Sequence, residues 1–156
     1  MAYFDKVQTY YTTKGKMKRP CISVFGLGKL GLPWASILAA KGYRVRGCDL
    51  SKQIVEAVNS GEAPIHEPRL QEMMDLGRAY LHATTSPIEA FEESEISFVI
   101  VPTPSGTNGK FINDYVLDCL RPLSRSLRQA KHYHQFVVTS TVMPGSCEHE
   151  IIPVLE

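Results

Sequence analysis

The 156-residue sequence has no Cys-x-x-Cys pair, no apolar run approaching the ~20 residues of a membrane span, and no apolar core at its amino terminus like that of a signal peptide. Its four cysteines, Cys21, Cys48, Cys119 and Cys147, lie far apart. That argues against a zinc ribbon or a disulfide scaffold and fits reduced thiols in a cytosol, so a cytoplasmic protein that does not enter the membrane is expected. His132-Tyr133-His134 has no acid or cysteine at ligand spacing, and reads as a polar lead-in to a strand rather than a metal site. Excess charge is also missing: 17 Lys+Arg against 16 Asp+Glu leave a net charge of +1, which gives no basis for a nucleic-acid partner or an anionic surface. With 44% hydrophobic and 21% charged residues, the chain is ordinary globular material of one domain's length.

What is present is a stretch that sets a strand, a tight turn and a helix start in close succession. Residues 21–25, Cys-Ile-Ser-Val-Phe, are a short apolar, β-branched run of the kind that makes a buried parallel strand. Gly26-Leu27-Gly28-Lys29-Leu30-Gly31 follows, and Leu30, Trp34, Ile37, Leu38 and Lys41 then recur at helical spacing. Pro33 falls in the first turn, where no amide donor is needed. Gly26 is expected to make the tight turn, Gly28 to let backbone amides approach a pyrophosphate, and Gly31 to let helix and strand pack closely. The helix N-terminus would face the phosphates with its partial positive charge. A second strand at 43–48 ends in Asp49, eighteen residues beyond Gly31, near the ~20-residue spacing of a ribose-binding acid. A carboxylate there accepts hydrogen bonds from the adenosine-ribose hydroxyls and repels a 2′-phosphate, which favours NAD over NADP. The alternative is that Asp49 only begins the next turn, with Ser51 capping a helix over 52–59.

That helix carries Ile54, Val55 and Val58 inward and stops at Asn59-Ser60-Gly61. A loop with Pro64 and Pro68 leads to a helix over 69–78, whose Met73 and Met74 read as core packing. A third strand at 80–84 and a short helix over 87–93, capped by Ser86, precede the most apolar strand, 96–101. It runs into Pro102-Thr103-Pro104, which would lie beside the glycine turn at the carboxyl ends of the strands, or would be a plain strand exit. Asn113 or Asp114 can cap a helix reaching about residue 129, with a kink or break near 119–121 ahead of Pro122. A strand at 135–139 then leads to Ser140-Thr141-Val142-Met143-Pro144-Gly145 and a helix over 147–155 interrupted by Pro153. The alternation predicts an α/β, Rossmann-type doubly wound, mainly parallel sheet with helices on both faces, over residues 21–156. Residues 1–20 are read as a leader or extension without an assigned function.

Four stretches together resemble the UDP-glucose/GDP-mannose dehydrogenase family, NAD-dependent enzymes that oxidise the C6 alcohol of a nucleotide sugar to a carboxylate. They are Gly26 to Pro33; Asp49 followed by Asn59-Ser60-Gly61, Pro64-Ile65 and Glu67-Pro68; Val101-Pro102-Thr103-Pro104; and Ser140-Thr141-Val142-Met143-Pro144-Gly145. The resemblance covers the family's amino-terminal cofactor domain and implies NAD as cofactor. It places Gly26, Leu27, Gly28, Lys29, Leu30 and Gly31 at the pyrophosphate, Asp49 at the adenosine ribose, and Val101, Pro102, Thr103 and Pro104 along the rest of the dinucleotide. Ser140, Thr141 and Val142 would line the cofactor, with Thr141 in a supporting catalytic role near the nicotinamide. The family's cysteine nucleophile lies in a later glycine-rich stretch that matches none of the four cysteines.

The implied activity is oxidation of a UDP-sugar such as UDP-glucose to the uronic acid, a step of polysaccharide biosynthesis. The nucleotide-sugar substrate would bind through a second domain absent from this chain, and the full-length protein would be a homo-oligomer. The chain alone is expected to hold NAD without turnover. Departures from the family pattern are Ile54 for a basic residue, Arg69 for glycine, Asn113 for an acid, and Pro122 inside the long helix. The competing readings are another β-hydroxyacid-type NAD dehydrogenase domain and a non-catalytic NAD-binding module.

Overall fold

The computed structural model describes residues 19–106, 109–130 and 133–156. Residues 1–18 of the expected leader, and His132, lie outside the described residues. Five strands, β1 (Ile22–Phe25), β2 (Val45–Cys48), β3 (Leu81–Thr84), β4 (Ile96–Val99) and β5 (Gln135–Val138), form one sheet in the order β3-β2-β1-β4-β5. Every pairing is parallel. The chain runs outward from β1 to β3 and then crosses back to β4, so the strand order reverses between β1 and β4. This is the expected doubly wound architecture, and its crevice lies at the carboxyl ends of those two strands.

β1 is buried along its whole length, and its alternation divides the core. Ile22 and Val24 join a cluster with α1 (Gly31–Ala40), α2 (Lys52–Ser60) and α3 (Leu70–Gly77). Phe25 joins a second cluster on the opposite face with α4 (Pro87–Glu92), α5 (Asp114–Leu120) and α6 (Leu123–Gln129). Ser51 and Ser86 cap α2 and α4 as expected, accepting from the amides of Ile54 and Glu89 at 3.4 and 3.3 Å. α2 ends at Gly61, whose φ of 87° suits glycine. Its Asn59 carboxamide reaches β3, accepting from the Ala83 amide at 2.8 Å and donating to the Ala83 carbonyl at 2.9 Å.

The first helix turns a different face inward from the one its large apolar residues mark. Gly31, Leu32, Ala35, Ser36 and Ala39 are buried, whereas Leu30, Trp34 and Ile37 are 58%, 40% and 40% exposed. Close approach decides this. A Cβ on Gly77 of α3 would stand 2.7 Å from the Ala39 Cβ, so the two helices touch through small residues and leave no room for a tryptophan. Trp34 instead packs edge-on against Phe98, with ring centroids 5.5 Å apart.

The expected break at Pro122 is present: α5 ends at Leu120 and α6 begins at Leu123. Neither Asn113 nor Asp114 caps α5 through its side chain. Asn113 is buried, and its amide nitrogen donates to Ser146 Oγ at 2.8 Å and to Glu150 Oε1 at 3.1 Å, which draws it away from the helix end. After β5 the chain enters a π-helical turn, Cys147–Ile151, and then α7 (Ile152–Leu155), with Pro153 in the first turn of that segment. Near the amino-terminal ends of β1 and β4, Ser94, Ser23 and Ser97 form a buried chain with Oγ–Oγ distances of 3.0 and 2.6 Å. It continues to His134 Nε2 at 2.7 Å from Ser97 Oγ.

Candidate functional site

A cleft of about 920 Å³ opens at the carboxyl ends of the strands, where β1 and β4 part. Its floor is the turn from β1 into α1. Gly26 has a φ of +91°, and a Cβ there would lie 2.2 Å from the Ile100 carbonyl oxygen. A Cβ on Gly31 would lie 1.8 Å from the Gly26 carbonyl oxygen. Both glycines are therefore demanded by the protein's own packing. Gly28 is not: a Cβ there would meet nothing within 4 Å and would project into the cleft it lines. The amides of Gly28, Lys29 and Leu30 have no protein acceptor among the described residues, so the turn offers donors at the start of a helix.

Asp49 is held at the end of β2 by two amides. Leu27 donates to Oδ2 at 2.8 Å and Ser51 to Oδ1 at 2.9 Å. The carboxylate thus begins the next turn and also faces the cleft. Each oxygen keeps further acceptor capacity for a diol. Ile54, at the position where a basic residue was expected, packs half-buried against the core and adds no charge.

Gly26, Gly28, Lys29, Leu30, Gly31, Asp49, Val101, Pro102, Thr103, Ser140 and Thr141 all line this one cleft. Leu27, Pro104 and Val142 do not. The Leu27 side chain is buried beneath Gly47, and its contribution is the amide on Asp49. Pro104 braces its loop by accepting from the Ile112 amide at 2.9 Å. Val142 packs against the second core cluster. Ser140 binds backbone: its Oγ accepts from the Val101 amide at 3.0 Å and donates to the Val101 carbonyl at 2.8 Å, joining the exits of β4 and β5. Thr141 beside it is exposed.

The opposite wall comes from residues that motif reading did not mark. Tyr115, Asp118 and Cys119 line it from α5, with Cys48, Leu50 and Pro87 nearby. Their i, i+3, i+4 spacing was the available signal. Leu50, beside Asp49, is 90% exposed at the edge of the cleft. Burial first, and then the Asp49 and Glu89 charges, push the Cys48 thiol up to about 12. Burial and the neighbouring Cys48 push Cys119 up to about 12 as well. Both are protonated at neutral pH and unsuited to nucleophilic work. Among the described residues no group of three His, Cys, Asp or Glu could hold a metal ion, and no helix is long and apolar enough to cross a membrane. The cleft can bind an elongated anion with a diol at one end.

Residues 20–156 match the model of the UDP-glucose/GDP-mannose dehydrogenase family, NAD binding domain. The chain is 39% identical over 137 residues to GDP-mannose 6-dehydrogenase of Pseudomonas syringae pv. tomato, covering 86% of this chain and 31% of that protein. The crystal structure of a ternary complex of GDP-mannose dehydrogenase from Pseudomonas aeruginosa superimposes with a TM-score of 0.83 at 37% identity, over 86% of this chain and 31% of the other. A UDP-glucose dehydrogenase from Pyrobaculum islandicum also gives 0.83, at 32% identity over 90% of this chain and 33% of the other. The chain spans about a third of the length of these relatives.

Proposed function

The chain belongs to the UDP-glucose/GDP-mannose dehydrogenase family as its NAD-binding domain, and from that premise we propose that it is the cofactor-holding part of a nucleotide-sugar 6-dehydrogenase. The observation that carries this reading is Gly28. Of the three glycines in the turn it alone has no packing reason to lack a side chain, and the space kept open lies in the cleft, over unpaired amides. NAD, when bound, supplies the hydride acceptor. In this proposal the amides of 28–30 hold the pyrophosphate and Asp49 accepts from the adenosine ribose. Val101, Pro102 and Thr103 line the central part, and Thr141 stands at the nicotinamide end. Ser140 acts indirectly, by fixing the two strand exits against each other. The isolated chain holds cofactor without oxidising sugar, because its cleft walls carry no activated thiol and no cation that would polarise a hydroxyl beyond Lys29 at the phosphate turn.

The whole protein's substrate is proposed as a nucleotide sugar. The relatives include both a GDP-mannose and a UDP-glucose enzyme, and in this proposal the base and hexose are read outside this chain. Calorimetric titration of the 156-residue chain tests the reading. NAD should bind with little response to NADP, and Asp49→Ala should weaken NAD about tenfold, the size of a charge-assisted hydrogen bond. Equal binding of NAD and NADP, or an unaffected Asp49→Ala variant, would overturn the assignment.

A further inference from the structure

Asn113 stands just before α5, outside the lining of the cleft, and is only 5% exposed. Its carboxamide nitrogen spends both hydrogens on one distant segment, donating to Ser146 Oγ at 2.8 Å and to Glu150 Oε1 at 3.1 Å. Its buried oxygen has no hydrogen-bond partner among the described residues. The Glu150 carboxylate can only accept, so it fixes which end of the carboxamide faces it. The segment so held is the exit of β5. At its near end Ser140 is tied to the backbone of Val101. At its far end Ser146 is buried against Asn113. Thr141 lies between these two ties, exposed and lining the cleft.

We infer that Asn113 is a positioning residue that anchors the far end of the β5 exit to α5 and so sets where Thr141 stands, an inference that rests on the reading of this cleft as an NAD site. α5 can serve as the fixed side of the contact because Val116, Leu117 and Leu120 hold it in the core. Tied only at Ser140, the exit could swing about one end, and a displacement of about 1 Å beside a ligand is enough to weaken a contact strongly. Glu150 also gives a reason for the amide where the resemblance expected an acid: a carboxylate at 113 would stand about 3.1 Å from another, with no hydrogen to share. The departure at 113 is thus matched across the contact by Glu150. The effect belongs to the nicotinamide half of the cofactor, since the glycine turn and Asp49, which hold the ADP half in this reading, lie on other segments.

The test is titration of NAD and, separately, ADP-ribose into wild type, Asn113→Asp, the double variant Asn113→Asp with Glu150→Gln, and Ser146→Ala, with circular dichroism confirming that each is folded. Asn113→Asp should weaken NAD on the order of tenfold and move ADP-ribose by less than about twofold. Adding Glu150→Gln exchanges donor and acceptor and should recover most of the NAD affinity. Ser146→Ala leaves α5 untouched and should show the same split in smaller measure; it decides the matter alone if Asn113→Asp does not fold. Unchanged NAD affinity in these variants, or equal weakening of both ligands, would overturn the positioning role and leave the NAD site standing. A double variant no better than Asn113→Asp would overturn the part given to Glu150. Absence of binding of either ligand by the folded wild type would overturn the NAD reading and this inference with it.

Discussion

The two ends of the sheet treat polar groups in opposite ways. Near the amino-terminal ends of β1 and β4, Ser94, Ser23, Ser97 and His134 join their side chains in one hydrogen-bonded series whose serines are buried. At the carboxyl ends, the turn after β1 leaves amides without protein partners among the described residues and keeps the space above Gly28 clear. A buried hydroxyl without a partner costs about 1–3 kcal/mol, so the first arrangement is a condition of folding. The second leaves donors in solvent, where water satisfies them until a ligand does. Stability and binding are thus built from the same kind of group on opposite ends of the same strands.

The largest expected effect separates glycines within the open end. Gly31→Ala should lower stability by about 3 kcal/mol in urea titration, because its Cβ would meet the Gly26 carbonyl oxygen at 1.8 Å. Gly28→Ala should change stability by less than about 1 kcal/mol while weakening NAD severalfold. A Gly28→Ala protein that unfolds would break the contrast between packing glycines and a ligand glycine.

A smaller effect concerns the thiols closed into the cleft wall. Cys48 and Cys119 have an ordinary value of 9.0 and stand at about 12 when folded. The unfolded chain gives up these protons first as pH rises. Their stabilisation is therefore complete below pH 9 and lost progressively between 9 and 12, by about 1.4 kcal/mol per pH unit for each thiol. Urea midpoints at pH 8 and pH 10 should differ accordingly, with Cys21, whose thiol burial also pushes up, adding to the fall, and Cys119→Ala should remove part of the difference. A flat profile would show that this part of the wall is wetter than its burial implies.

The smallest effect sharpens the comparison from the closed end. Ser23→Ala removes one partner each from Ser94 and Ser97, which keep the Phe91 carbonyl and His134, and should cost about 1 kcal/mol, with no change in NAD affinity. A loss of binding there would mean that the two ends are coupled through β1.

Much of this was legible in the sequence because its demands are local. Glycine is required within the turn by the turn itself, serine caps act over three residues, and Pro122 breaks its own helix, so these features appear without tertiary knowledge. The left-handed backbone at Arg69, φ 63°, belongs to the same class: it stands where glycine was expected and adopts a glycine's conformation. What the sequence hid is decided by neighbours far along the chain. Trp34 and Ile37 look like a core stripe, yet α3 presents Gly77 to α1, and only small residues fit between them. Asn113 looks like a cap but is claimed by Ser146, 33 residues away. The α5 wall was missed because helical spacing says which residues share a face, not what that face meets.

One contact described with the fold bears on how the sheet can grow. β3 is an outer strand, and Asn59 occupies both backbone groups of Ala83 on the side away from β2. A carboxamide carries the same donor and acceptor as a peptide unit, so this side chain imitates one residue of a neighbouring strand where the described residues place none. A strand arriving there would have to evict it before making its first ladder bond. Lateral growth of the sheet, by any chain, is thereby steered to the β5 side, the side that lies beyond the cleft.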